Sequence, residues 1–479
     1  MRKGEGRRGG GEVGGGAGGG GHYHHHHHHH HRVYKRRWFG LVQLVLLNVV
    51  VSWDWLTFSA VSTTASQFFN VSENAINWLS IGFLFAFVVI TPVVILVLHR
   101  GPKPSIIAAS VFALVGNWIR YAGARAGNGN FGVVVFGQIV IGLAQPFVLA
   151  APTRYSDLWF SDHGRVSATA VASLANPLGG ALGQVIGPLW TDEDPANIPN
   201  LVLYMAIIST VIAVPSFFIP AAPPTPPSAS SALPKPDLKT TFHALLRNRS
   251  FPLVFIPFSV YVGFFNAFSS LINQILAPYS FSEDDAGICG ALLIFVGLGA
   301  AAVTSPLLDR NHAYLVAIKA LVPLVGASYL AFYWAPPTRD LAAPFVVAAV
   351  LGAASFALVP VSLEFLVGLA WPASPEVSST VCWAGGQLLG GVFLVVMGEM
   401  KAGGGRGDGW GPPENMQRAL VFEAVIACVV VPLPLLLGVR RLGFGDVGRE
   451  RLRLDEEERA REREEDAEEE RRGRADGGI

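Results

Sequence analysis

Twelve stretches of about 20 residues are apolar and almost free of charge, and they restrict the fold more than any other feature of the sequence. A helix needs about 20 apolar residues to cross the hydrocarbon core of a bilayer. Only 15% of all residues are charged, against roughly 25% in soluble domains. The stretches begin near Trp38, Trp78, Ser105, Phe131, Val166, Leu201, Pro252, Ala286, Tyr314, Leu341, Val377 and Gln417. The sequence therefore predicts an all-α integral membrane protein of about twelve transmembrane helices.

The order of the segments predicts two halves. Residues 34–220 and 250–439 each contain six of the stretches, and residues 221–249 between them are Pro/Ser-rich and then basic. Residues 1–33 form a Gly/His-rich tail, and residues 440–479 form a charged tail with helical spacing of its charges. Two six-helix halves around a cytoplasmic linker are the architecture of the major facilitator fold, which binds a solute near the midplane between the halves.

The basic residues predict the orientation in the membrane. If the spans alternate, Arg36, Arg100 and Arg310 fall on one side, and the acidic residues Asp192 and Glu283 fall on the other. Cytoplasmic loops are enriched in Lys and Arg. We therefore expect both termini to be cytoplasmic in a multi-pass protein, with the plasma membrane as its expected location.

Two Asn-x-Ser triplets provide a test of this orientation. Asn70 falls in the first outer loop, and Asn248 falls in the inner linker. Glycans are attached only on the outer side, so we expect Asn70 to be the glycosylation site.

The sequence contains no motif typical of an enzyme or of a resident cofactor. P-loop, HExxH and CxxC spacings are absent, and the three cysteines all fall within apolar segments. The formal net charge is zero, which gives no reason to expect nucleic acid as a partner. The run from His24 to His31 indicates a low-complexity tail or a tag, with a metal site as the alternative. We expect neither catalysis, nor a cofactor, nor a metal.

Polar residues within the apolar stretches are the best indicators of a solute path, because an unpaired polar group is costly in lipid. By the rise of roughly 1.5 Å per residue, several of them lie near the middle of their spans. They are Asp54 and Trp55 in the first span, Gln145 in the fourth, Asn266 in the seventh and Gln387 in the eleventh. We predict that these residues bind the solute, although contacts between helices would also explain the amides.

Asp54 allows two interpretations. A carboxylate at this depth must meet a cation, a proton or a basic partner, so it is either a counter-ion or proton-coupling group, or one member of a structural ion pair. The indole of Trp55 beside it favours binding of a quaternary ammonium group by cation–π contact, with packing or a lipid-facing position as the alternative.

Glu364, Arg120 and Glu423 are further charged residues inside spans. Glu364, toward the inner end of the tenth, is a candidate for an inner gate or a proton path. Arg120 in the third span would either snorkel or pair with an acid. Glu423 in the twelfth span has no identifiable partner in the sequence and no assigned role.

Several strings resemble the feline leukaemia virus subgroup C receptor-related family, solute carrier family 49, within the major facilitator superfamily. The resemblance extends from about Tyr34 to Val439. In the first half it rests on "NWLSIGFLFAF" (77–87), "GNWIRYAG" (116–123), "AQPFVLAAPTRYSDLWF" (144–160) and "SATAVASLANPLGGALG" (167–183). In the second half it rests on "FFNAFSSLINQI" (264–275), "LEF" (363–365) and "GGQLLGG" (385–391).

The resemblance implies transport of choline, ethanolamine, haem or related solutes. Trp55, Gln145 and Gln387 fall on the family's tryptophan and glutamine positions, whereas Asn266 replaces a tyrosine and Asp54 replaces a glutamine. We therefore predict a secondary transporter of a small polar or cationic solute, with a coupling proton as an open question. A haem exporter and a non-transporting receptor or scaffold are the alternatives.

Overall fold

The computed structural model describes residues 34–160, 162–225, 237–311, 313–369, 375–405 and 408–445, with Glu464, Ala467, Glu468 and Arg471 of the C-terminal tail. The predicted N-terminal tail, with its histidine run, lies outside the described residues, as does most of the charged tail. The described residues form helices and connecting loops, and no strand occurs among them.

Twelve long helices make up the fold and are numbered α1 to α12 here. The first six are α1 (Arg37–Leu56), α2 (Glu73–Arg100), α3 (Pro102–Arg125), α4 (Phe131–Leu149), α5 (Asp162–Thr191) and α6 (Ile198–Ala213). The second six are α7 (Phe251–Leu276), α8 (Glu283–Asn311), α9 (Tyr314–Phe332), α10 (Ala342–Leu369), α11 (Pro375–Glu399) and α12 (Gln417–Val429). Shorter helices occupy Ser62–Phe69, Ala151–Trp159 and Leu238–Arg247.

The predicted fold class is confirmed by these helices. Eleven of the helical segments in the described ranges are long and apolar enough to cross a bilayer. The twelfth long helix, α5, is rich in glycine and alanine and contains Asn176 and Gln184, which lower its hydropathy. It nevertheless packs between α1 of its own half and α8 of the other half. Small residues allow this close approach, because Gly179 lies against the backbone of Val49.

Two helices form the centre of the bundle. The segments that contain α1 and α7 are each 78% buried, whereas most of the other spans are 39–50% buried. Apolar residues cover α7 on all sides, which is the pattern of a helix surrounded by other helices rather than by lipid. The first helix of each half is therefore the element that faces the most neighbours, and polar residues on α1 and α7 are the ones best placed to meet the other half.

The linker ends in a helix, Leu238–Arg247, which follows the pattern of a surface helix. Thr241 and Leu245 are buried against the bundle, whereas Phe242 and Leu246 are exposed.

Candidate functional site

Asp54 lies in a fully buried ion pair with Arg120. One carboxylate oxygen is 3.1 Å from Nη2 of Arg120, and both side chains have no exposed surface. The other oxygen accepts hydrogen bonds from Nδ2 of Asn117 at 2.7 Å and from the hydroxyl of Ser209 at 3.4 Å. The structure therefore matches the ion-pair interpretation of Asp54, and it pairs Arg120 with an acid rather than letting it snorkel.

This ion pair also holds the end of α1. The last carbonyl groups of a helix have no partner within the helix. Here Arg120 donates to the carbonyl oxygen of Asp54 at 3.1 Å, and Nε2 of Gln138 lies 3.3 Å from the carbonyl oxygens of Asp54 and Trp55. Arg120 in turn donates to Oε1 of Gln138 at 2.8 Å. We call Asp54, Asn117, Arg120, Gln138 and Ser209 the α1 anchor, since they fix the turn that presents Trp55.

Trp55 keeps an unsatisfied donor in this fixed turn. Its side chain is 5% exposed, and its ring stacks on Phe83 of α2 with centroids 6.3 Å apart. The indole Nε1 has no hydrogen-bond partner within the part of the chain that the structure describes. A buried N–H without a partner costs about 1–3 kcal/mol. The group is therefore available to donate to a ligand, and the ring provides an aromatic face beside it.

Gln145 lies in an amide cluster with two residues that the sequence analysis did not single out. Gln145 and Asn176 of α5 exchange two hydrogen bonds of 3.2 Å, and Asn176 also donates to Oδ1 of Asn48 at 3.3 Å. Asn48 donates to the carbonyl oxygen of Val148 in α4. The signal for Asn48 and Asn176 was present in the sequence, since both are amides inside apolar stretches.

Asn266 and Gln387 form the corresponding pair in the second half. Nδ2 of Asn266 donates to Oε1 of Gln387 at 3.0 Å, so the structure brings these two predicted residues together. The contact depends on glycine, because a Cβ atom at Gly390 of α11 would lie 2.9 Å from Nδ2 of Asn266. The glycines of the "GGQLLGG" string therefore allow α11 to approach α7 closely enough for the amides to meet.

The two halves are joined by polar contacts at the end of the bundle where Asn70 lies, which we call the Asn70 end. Three of these contacts define the interhalf latch. They are Glu283 with Thr64 (2.9 Å to the hydroxyl, 3.1 Å to the backbone nitrogen), Asn273 with Ser62 (2.7 Å) and Gln274 with Asn77 (2.6 Å). Lys401 and Glu73 add an ion pair of 3.5 Å at the same end. The structure is therefore a conformation closed at the Asn70 end.

The remaining predicted residues have different surroundings. Glu423 of α12 is fully buried, and neither of its carboxyl oxygens has a hydrogen-bond partner among the described residues. Glu364 belongs to α10, but its side chain lies outside the described residues. Asn70 is exposed, with a left-handed backbone (φ 51°) that ends the helix Ser62–Phe69. Among the described residues, no group of three or more His, Cys, Asp or Glu side chains could hold a metal.

Comparison with known proteins decides the family. The family model described as Major Facilitator Superfamily matches residues 44–394. "Solute carrier family 49 member A3" of Danio rerio is 33% identical over 374 residues, which cover 76% of this chain and 78% of that protein. The chain belongs to solute carrier family 49 of the major facilitator superfamily. This confirms the resemblance predicted from the sequence.

Other relatives and folds agree with this assignment. "Choline/ethanolamine transporter flvcr2b" of Danio rerio is 28% identical over 77% of this chain and 79% of that protein. "Choline/ethanolamine transporter FLVCR2" of Homo sapiens is 25% identical over 77% and 73%. A bacterial homolog of the human lysosomal transporter Spinster, at 15% identity, has the same fold with a TM-score of 0.63 over 85% of this chain and 97% of that one. These major facilitator proteins are transporters and not enzymes, so the chain is a multi-pass transporter of this superfamily.

Proposed function

We propose that this protein moves a small organic cation of the choline or ethanolamine class across the membrane by alternating access. In this proposal Trp55, Gln145, Asn266 and Gln387 contact the solute. The observation that carries the proposal is Trp55, whose aromatic face and unpartnered N–H lie on one of the two central helices. A tryptophan face attracts an ammonium group, and the indole N–H can donate to the hydroxyl oxygen that choline and ethanolamine share.

The positive charge of the solute would be recognised by Trp55 rather than by Asp54. The carboxylate of Asp54 already faces Arg120 at 3.1 Å and Asn117 at 2.7 Å, so its charge is neutralised within the first half. A cation–π contact contributes about 2 kcal/mol or more when it is desolvated. Asp54 then has a positioning role, since it holds Arg120 and through it the turn that orients the indole.

The amide pairs support the polar part of the site. Gln145 and Asn176 satisfy each other in the first half, as Asn266 and Gln387 do in the second. Paired amides can exchange a mutual hydrogen bond for one to a solute hydroxyl without leaving a buried group unpaired. Two relatives, of Danio rerio and Homo sapiens, are named as choline/ethanolamine transporters, which supports the same class of solute.

Uptake by the purified protein in liposomes tests this function. We expect saturable uptake of labelled choline and ethanolamine, and we expect 3,3-dimethyl-1-butanol, the neutral carbon analogue of choline, not to inhibit it. Replacing Trp55 by Leu should weaken choline binding at least tenfold, since about 1.4 kcal/mol corresponds to a factor of ten.

Trp53 provides the matched control. It is a tryptophan on the same helix that stacks on Trp190 with centroids 5.7 Å apart. Trp53→Leu should therefore leave the choline affinity of the folded protein within a factor of two or three. Equal losses in the Trp53 and Trp55 variants would remove Trp55 from the site. Liposomes that accumulate none of these solutes would favour the receptor or scaffold alternative.

We also propose that the Asn70 end faces away from the cytoplasm, with both termini cytoplasmic in the plasma membrane. The amide nitrogen of Asn248, the atom that a glycan would modify, donates to the carbonyl oxygen of Leu369 at 2.7 Å. Asn70 is exposed instead. In a glycosylating host, Asn70→Gln should abolish the mobility shift and Asn248→Gln should not. The reverse result would invert the orientation.

A further inference from the structure

Glu423 is a buried carboxyl group that the solute site does not use. It lies on the face of α12 that also contains Leu420, Ala424 and Ala427, all buried against the second half. Neither carboxyl oxygen accepts a hydrogen bond from a described residue. Burying an unpaired carboxylate costs far more than burying the neutral acid. In this conformation the neutral, protonated form is therefore the less costly one.

Among the described residues, the helices packed against α12 place no base beside Glu423, and neither α7 nor α11 contains a Lys, Arg or His. Tyr329 of α9 lies within electrostatic range of it, and a phenol is neutral near pH 7. The hydroxyl of Tyr261 of α7 donates to the carbonyl oxygen of Ala427, so it is already engaged. The basic residue of α9, Lys319, is ten residues from Tyr329, or roughly 15 Å along the helix. The proton is therefore the cation that balances this carboxylate.

An aromatic residue of α7 connects this region to the interhalf latch. Phe264 stacks on Phe393 with ring centroids 4.1 Å apart. Its ring centroid also lies 6.2 Å from that of Phe422 and 5.7 Å from that of Tyr329. Further along the same helix, Asn273 forms its latch contact with the first half. Opening of the latch moves this part of α7, because the solute site can reach the Asn70 end only if α7 separates from the first half.

We propose that Glu423 is a proton-binding site, which holds a proton while the latch is closed and releases it when opening of α7 admits water. The step is a plain ionisation in which the carboxylic O–H bond breaks and the proton passes to water. This inference rests on the proposed transport function, since it assigns a coupling ion to the same alternating-access cycle. Acidic pH then stabilises the conformation closed at the Asn70 end.

Infrared difference spectroscopy tests the protonation directly. The spectrum of the wild type minus that of Glu423→Gln, both near pH 7, should contain the carbonyl stretching band of a neutral carboxylic acid. A matched control is Glu399→Gln, which removes an exposed acid at the end of α11. A carboxylate band in place of the acid band for Glu423 would overturn the proposal.

Labelling of a cysteine at the latch tests the coupling. Ser269 is 3% exposed beside the latch, so Ser269→Cys, in a background with Cys428→Ala, reports opening of the Asn70 end to a water-soluble maleimide. Because maleimide reacts with the thiolate, each rate is divided by the rate of the same variant unfolded in denaturant at the same pH. We expect this normalised labelling rate to rise severalfold from pH 5.5 to 8, and to lose its pH dependence with Glu423→Gln but not with Glu399→Gln. A normalised rate that still depends on pH in Glu423→Gln, or that depends on Na⁺ instead, would overturn the proposal.

The proton-site proposal and the solute assignment can be disproved independently. If neither choline nor ethanolamine enters the liposomes while the acid band and the pH-dependent labelling are present, the solute assignment is wrong and the proton site stands. If these solutes enter but the acid band is absent, the proton site is wrong and the transport function stands.

Discussion

Asp54 and Glu423 occupy comparable regions of the two halves but have opposite surroundings. Asp54 lies among α1, α3 and α6, the first, third and sixth helices of its half, and Glu423 lies among α7, α9 and α12, the first, third and sixth of the other. Asp54 meets Arg120, Asn117 and Ser209, whereas Glu423 has aromatic and aliphatic neighbours and no partner for either oxygen among the described residues. One carboxyl group is therefore a fixed structural element, and the other is free to change its charge.

The difference shows that burial alone does not assign a role to a membrane carboxylate. Both side chains have no exposed surface. A paired acid keeps its charge because its partner stays beside it, and removing that partner leaves an uncompensated charge in the interior. An unpaired acid avoids that cost by binding a proton.

Removing Arg120, the basic residue of the α1 anchor, should have the largest effect on stability. Arg120→Met leaves the carboxylate of Asp54 buried without its counter-charge, which costs about 3–5 kcal/mol of stability. We expect a large drop in the thermal midpoint and in the yield of folded protein in detergent. The exposed Arg125, one turn further along α3, provides the control variant Arg125→Met. Equal stability of Arg120→Met and the wild type would contradict the ion-pair interpretation.

Removing Gln138 should have an intermediate effect with two readouts. Gln138→Leu loses the bonds to the carbonyl oxygens of Asp54 and Trp55 and to Arg120, at a cost of about 1–3 kcal/mol. The turn that orients Trp55 loosens at the same time, so choline affinity should fall in the protein that remains folded. Gln67→Leu, at an exposed glutamine, is the control. A stability loss without any change in affinity would separate the anchor from the solute site.

Replacing Glu423 by an apolar residue should not destabilise the protein, in contrast to the substitutions in the α1 anchor. Glu423→Leu replaces an unpartnered acid by an apolar side chain, so we expect the free energy of unfolding to stay the same or to rise by up to about 1–2 kcal/mol, measured by thermal denaturation. The wild type should also lose stability as the pH rises, because its folded state holds a proton that the unfolded state gives up, and Glu423→Leu should lose that slope. Strong destabilisation at constant pH would mean that Glu423 has a partner.

Removing the weakest contact of the α1 anchor should have the smallest effect. The hydroxyl of Ser209 is 3.4 Å from the carboxylate of Asp54, which is long for a charge-assisted hydrogen bond. Ser209→Ala should therefore cost only about 0.5–1 kcal/mol in thermal denaturation. A loss as large as that of Arg120→Met would show that α6 contributes more to the anchor than this distance indicates.

Much of the fold could be predicted from the sequence, because each span of a membrane must satisfy its own backbone in lipid. Twelve spans and two halves follow from local hydropathy and from proline, glycine and charge. Residues such as Trp55 and Gln145 could be selected as candidates by depth alone. Their partners could not, since a period of 3.6 residues gives the face of one helix but not the neighbour that this face will meet.

The sequence by itself determined that Asp54, Arg120 and Glu423 are charged groups inside spans, and therefore that each needs a partner or a proton. Only the tertiary structure decided which of these groups has a charged partner. Asp54 and Arg120 are separated by 66 positions along the chain and meet because α1 and α3 pack in one half. The packing of α12 against α7 and α9 brings Glu423 no base among the described residues. Pairing is a property of packed helices, because the Coulomb energy depends on the distance in space between two charges and not on their separation in sequence.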